Sequence, residues 1–85
     1  MLNVTMLTAA GCRPCARAKE LLWALQTEYP GLAVTEVDIG SEEGIELATR
    51  NRVWTLPVIL VDGRVVLAGR IDDAELRWRL EGVPA

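Results

Sequence analysis

Two apolar runs, Val58 to Val61 and Val65 to Ala68, stand on either side of Asp62-Gly63-Arg64. Asp-Gly takes positive φ at little cost, and such a link between apolar runs is a strong β-hairpin signal. A hairpin is marginal by itself in water, so the rest of the chain has to complete a sheet around it. Leu2 to Leu7 is rich in strand-favouring residues and runs into the small, flexible Thr8-Ala9-Ala10-Gly11, which predicts a first strand and a loop. From Arg13 to about Tyr29, the residues Ala18, Leu21, Leu22, Leu25 and Tyr29 recur at three- and four-residue steps, with Arg17, Lys19, Glu20 and Gln26 between them. That is the period of an amphipathic helix, closed by Pro30-Gly31. The β-branched content of Leu32 to Ile39 favours a second strand. Ser41 followed by Glu42 and Glu43 suits the N-cap and first turn of a short helix reaching about Asn51. Asp72 and Asp73 open a closing helix, expected to turn Ala74, Leu76 and Leu80 inward. The order β-α-β-α-β-β-α predicts an α/β fold: a four-stranded mixed sheet with three helices on its faces.

At 85 residues the chain has room for one domain, residues 1–85, with a single marginal core. Its 51% hydrophobic and 25% charged residues exclude a disordered or fibrous class. Nine Lys and Arg against twelve Asp and Glu give a net charge of −3, and no basic stripe is present to track phosphates, so nucleic acid is not expected as a partner. No apolar stretch approaches the roughly 20 residues that span a bilayer, so no membrane role is expected. The N-terminus lacks the basic and long apolar regions of a signal peptide. A cytoplasmic monomer is the expectation, and in that compartment thiols are held reduced, so a close cysteine pair is more often catalytic or metal-binding than structural.

Cys12 and Cys15 are the two cysteines of the chain, set at the front of the first helix. A bond between them would close a four-residue loop and remove little entropy from the unfolded chain, whereas a loop of about 15 residues is worth about 3 kcal/mol. Such a bond is a poor staple and is easily broken and remade. A helix start at Cys12 aims free N–H groups and the positive dipole end at its sulfur and favours the thiolate, with Arg13 and Arg17 adding positive charge. Cys12 is therefore the expected nucleophile, and Cys15, one turn further in among alanines, the resolving thiol. Pro14 fits the first helical turn, where its missing N–H is not needed; it equally stiffens the link between the sulfurs. A closed zinc site needs four ligands, and two cysteines without a histidine would close one only in a dimer sharing two pairs. No metal is expected.

Gly11-Cys12-Arg13-Pro14-Cys15-Ala16-Arg17-Ala18-Lys19, the segment Thr55-Leu56-Pro57 ahead of the hairpin, and Ala68-Gly69-Arg70-Ile71-Asp72-Asp73 follow one another in that order. With them the chain resembles a glutaredoxin, or more broadly a small redoxin of the thioredoxin fold, over nearly its whole length. The first segment is similar to the family's Cys-x-x-Cys helix. The second is similar to its Thr-Val-Pro segment, and the third stands in the place of its Gly-Gly turn and acidic helix cap. The resemblance implies a thiol–disulfide oxidoreductase in which Cys12 attacks and Cys15 resolves. It implies a cis Leu56–Pro57 bond beside the disulfide, and backbone groups of Thr55 and Leu56 offered to a bound peptide or glutathione. It places Asp72 where family members hold the γ-glutamyl end. Arg13, Pro14 and Gly69 complete the expected substrate-binding set.

No tightly bound cofactor is implied; glutathione enters as a co-substrate. The partners implied are disulfide-containing proteins and an electron source, either glutathione or a flavoenzyme of the thioredoxin-reductase type. Pro14 stands where many glutaredoxins carry an aromatic residue, neutral residues precede Cys12 where they carry a basic one, and Met6 takes the place of thioredoxin's buried aspartate. Weak glutathione affinity is expected with them, and a potential nearer thioredoxin's roughly −270 mV than a glutaredoxin's roughly −200 to −230 mV. A different class, a non-enzymatic thioredoxin-fold module that binds a partner or shares a metal, stays open at this level. Trp54 reads equally as a grip for partner proteins or as a residue packed on the second helix; Trp23 and Trp78 are expected to be half-buried, and Glu42, Glu43 and Glu46 to form a solvated face.

Overall fold

The computed structural model describes residues 2–81; Met1 and residues 82–85, which the sequence reading counts in the same domain, lie outside the described residues. The elements are β1 (Asn3–Thr8), α1 (Arg13–Glu28), β2 (Ala33–Asp38), α2 (Glu42–Asn51), β3 (Val58–Val61), β4 (Arg64–Ala68) and α3 (Asp73–Glu81). They form one mixed sheet in the order β2-β1-β3-β4. β1 runs parallel to β2, while β3 is antiparallel to both β1 and β4. The expected order and sheet are those observed.

All four residues of β3 are buried, which is why this central strand reads as an unbroken apolar run rather than an alternating one. Alternation along the strands sorts the core into two layers. Val4, Met6, Ile59, Val61 and Leu67 meet Ala18, Leu21, Leu22 and Leu25 of α1 and Leu76 and Leu80 of α3 on one face. Leu7, Val37, Val58 and Leu60 meet Ala48 of α2 on the other. Asp62 and Gly63 both take positive φ, 51° and 83°, so the Asp-Gly link makes the tight turn its chemistry favours.

Four expected inward or half-buried residues lie outside. Ala74 of α3 is exposed, because it sits two residues, about 200° of helix, from Leu76, and the buried stripe of α3 is the Leu76–Leu80 pair alone. Trp78 stands two residues from both leucines and is 68% exposed, with the Arg79 guanidinium 5.2 Å from its ring centre. Trp23 is 54% exposed and carries the Lys19 ammonium 5.0 Å from its ring. Tyr29 is the C-cap of α1 rather than a core residue, and its hydroxyl donates to the Glu81 carboxylate.

Two features tie helices to the frame. Gly44 in α2 lies so close to the end of β2 that a Cβ there would overlap the Asp38 carbonyl and stand 2.9 Å from the Ile39 Cα. Both obstacles are backbone. Gly44→Ala should therefore cost about 1–3 kcal/mol, read as a fall in Tm of roughly 4–8 °C per kcal/mol for a domain of this size; an unchanged Tm would mean that α2 shifts freely.

Arg77 of α3 donates to Glu28 of α1 at 3.0 Å and to Asp73 at 3.1 Å. The hydrogen bond from Arg77 holds the Glu28 carboxyl below its ordinary value of 4.5, partial desolvation opposing it and the arginine's charge adding to it. A lowered carboxylate contributes stability above its unfolded pKa and loses it as pH falls through the folded value. The difference in Tm between the native chain and Arg77→Met should accordingly be small at neutral pH, because the pair is exposed, and should close as pH falls below about 4. A difference that persists in acid would assign Arg77 a packing role instead.

Candidate active site

Strand register brings the site together. Leu7 pairs with Val58 and Val58 with Ala68, so the end of β1, the start of β3 and the end of β4 share one edge of the sheet. The loop leading to Cys12, the Thr55–Pro57 segment and Gly69 each continue from that edge, and Asp72 follows the last of them.

Gly11, at φ 77°, turns the chain into α1 through a conformation that favours glycine. Cys12 is the N-cap: its Sγ accepts the Cys15 N–H at 3.1 Å and its carbonyl accepts the Ala16 N–H at 3.1 Å. A sulfur thus takes the role that serine or aspartate usually fills. Pro14 lies in the first turn, where the proline costs no hydrogen bond. Cys12 and Cys15 are joined in a disulfide, their Cα atoms 5.2 Å apart. Cys15 is 2% exposed, while Cys12 is only partly covered. Of the two sulfur-bearing residues, Cys12 is the one that an incoming group reaches.

The Leu56–Pro57 bond is cis. Gly69, at φ 83°, donates its N–H to the Pro57 carbonyl at 2.8 Å and the Thr55 carbonyl at 3.2 Å, pinning the β4–α3 turn to the proline loop. A Cβ at Gly69 would press on Thr55 Cγ2 at 3.4 Å. The Thr55 carbonyl is therefore already engaged, and among the described residues the Leu56 backbone makes no hydrogen bond. Asp72 caps α3, its Oδ1 accepting the Glu75 N–H at 2.7 Å. Trp54, beside this loop, is 60% exposed.

Next to the disulfide, Arg13, Pro14, Arg17, Arg70, Ile71 and Asp72 line an open cleft of about 590 Å³. Arg70 and Ile71 were not expected there. Their place depends on the turn that Gly69 pins to the proline loop, a long-range contact that no local pattern in the sequence marks.

The chain matches the glutaredoxin family model over residues 4–66, a span that holds both cysteines, the proline loop and most of the hairpin. The chain belongs to the glutaredoxin family. The turn from Gly69 to Asp72 lies beyond the matched span. A glutaredoxin-like protein of Dictyostelium discoideum is 27% identical over 96% of this chain and 78% of its own length. An uncharacterized protein of Mycobacterium tuberculosis is 33% identical over 88% of this chain and 78% of its own. Among solved structures, oxidized mitochondrial thioredoxin 3 of Saccharomyces cerevisiae superposes with a TM-score of 0.76 at 21% identity, covering 96% of this chain and 78% of that one. That likeness shows the thioredoxin fold.

In a glutaredoxin built this way, reduction leaves the Cys15 N–H and the dipole of α1 aimed at the Cys12 sulfur. Arg13 and Arg17, exposed on the next residues of the helix, add positive charge. The Cys12 thiol should titrate below the free-thiol value of about 8.5, read from thiolate absorbance in a Cys15→Ser variant. A midpoint at or above that value would remove helix-terminus activation from the mechanism.

Proposed function

We propose that this glutaredoxin-family protein reduces disulfides of protein substrates, and mixed disulfides formed by glutathione, through a dithiol cycle on Cys12 and Cys15. The observation that supports it is the asymmetry of the pair: a partly covered Cys12 capping the helix, and a Cys15 buried beneath it. The Cys12 thiolate attacks one sulfur of the substrate disulfide; a Cys12–substrate bond forms, the substrate bond breaks, and the departing thiolate takes a proton from solvent. Cys15, losing its proton, then attacks Cys12 Sγ, forming the Cys12–Cys15 disulfide and releasing the second substrate thiol. Two electrons pass to the substrate. They return from an external thiol, either two glutathione molecules or the dithiol of a thioredoxin-reductase-type flavoenzyme. The Leu56 backbone makes no hydrogen bond among the described residues and is open to pair with an extended substrate segment, as strand addition requires.

Cys12→Ser should reduce neither insulin disulfides nor a glutathione mixed disulfide above the uncatalysed background. Cys15→Ser should accumulate a covalent Cys12–substrate adduct visible by mass spectrometry, because only the second cysteine expels the partner internally. If Cys15→Ser is the more inactive variant and Cys12 is not the first thiol alkylated, the roles are reversed. Running the native protein with glutathione and glutathione reductase, and separately with thioredoxin reductase, identifies the donor.

A further inference from the structure

The cleft beside the disulfide gathers positive charge in a chain whose net charge is −3. Among the described residues, Arg13, Arg17 and Arg70 line it together and form no ion pair; elsewhere Lys19, Arg50 and Arg77 are paired, while Arg52, Arg64 and Arg79 are not. The one carboxylate in the lining, Asp72, accepts the Glu75 N–H as the cap of α3. Three guanidinium groups thus face one committed anion, and Pro14 and Ile71 between them supply an apolar floor. Arginine is suited to this place, since its planar fork takes a carboxylate in a bidentate manner.

We infer that this cleft reads an acidic side chain on the protein whose disulfide Cys12 attacks, set about two residues from the attacked cysteine. The inference rests on the oxidoreductase reading above and adds the substrate class. The spacing follows from reach: Arg17 lies five residues beyond Cys12, about 7.5 Å along the axis and about 140° around it, a turn that its long side chain has to span, and two residues of extended chain cover about 7 Å. Glutathione also presents carboxylates, its γ-linkage setting the glutamyl carboxylate several atoms beyond the cysteine, so it competes for the same arginines.

The test uses peptides with a single cysteine held in a disulfide with 2-mercaptoethanol, carrying Glu or Gln two positions from the cysteine, alongside a glutathione mixed disulfide. At about 0.1 M salt, the Glu peptide should exceed the Gln peptide in kcat/KM by about fivefold, the upper range of an exposed ion pair. The preference should vanish at about 1 M salt, where the Debye length falls from about 10 Å to about 3 Å. Arg17→Gln and Arg70→Gln should each lower the Glu-to-Gln ratio, the double variant should bring it to one, and Arg17→Lys should keep part of it. Equal turnover of the two peptides by the native protein, or a preference that survives the double variant, overturns the inference. So does an effect of both substitutions confined to the glutathione mixed disulfide. Binding of Ser-for-Cys versions of the peptides to the oxidised protein, followed at the Arg70 and Ile71 amides by NMR, separates the two readings. Salt-sensitive binding of the Glu version without turnover of any peptide overturns the proposed reaction and keeps the cleft, while equal shifts from both versions overturn the cleft.

Discussion

The antiparallel pairing of β1 with β3, Leu7 opposite Val58, is the constraint on which the site depends. It sets the loop that leaves β1 and the loop that enters β3 at one edge of the sheet, although 45 residues separate Cys12 from Pro57 in the chain. The pairing is held by burial, since β3 is covered on both faces. A slip of one residue would exchange the faces of Ile59 and Leu60, moving each into the other's core layer, and would carry Pro57 away from the cysteine loop. Core packing and active-site geometry are in this sense one requirement.

Cys12 joins the backbone of the first helix to the chemistry. As N-cap it satisfies a donor that would otherwise be unpaired, and the same N–H is the group that stabilises negative charge on the sulfur. No polar or charged side chain is buried among the described residues, so the electrostatics of the sulfur come from the helix terminus and from exposed arginines rather than from an internal acid or base. Met6, fully buried in the core, makes that core apolar beneath the helix.

Much of this was legible in the sequence because it is local. The Asp62-Gly63 turn, the three- and four-residue spacing of Leu21, Leu22 and Leu25, and the Cys12-x-x-Cys15 pair at a helix start each carry their own physical signature. The errors fall where a pattern is too short to have a period. In α3 two leucines four apart define the buried stripe, and Ala74, expected inward, and Trp78, expected half-buried, have angular positions that put them outside. Trp23 sits one residue past Leu22, about 100° around the helix, and exposure won over its apolar character. Arg70 was illegible for a different reason: it reaches the cleft only because Gly69 folds the turn back onto the proline loop, a long-range arrangement with no local mark.

The modest anchoring of α3 has a consequence for how the molecule breathes. This helix contributes Leu76 and Leu80 to the core, whereas α1 contributes Ala18, Leu21, Leu22 and Leu25. Opening free energy follows buried apolar area, so amide exchange should grade across the molecule, slowest in β3 and the middle of α1 and faster in α3. One wall of the cleft, around Asp72, therefore adjoins a less firmly anchored helix and the other, around Cys12, one of the most firmly anchored. Such a mouth yields on the Asp72 side while the disulfide stays in place, so the width of the opening can vary without displacing the sulfurs.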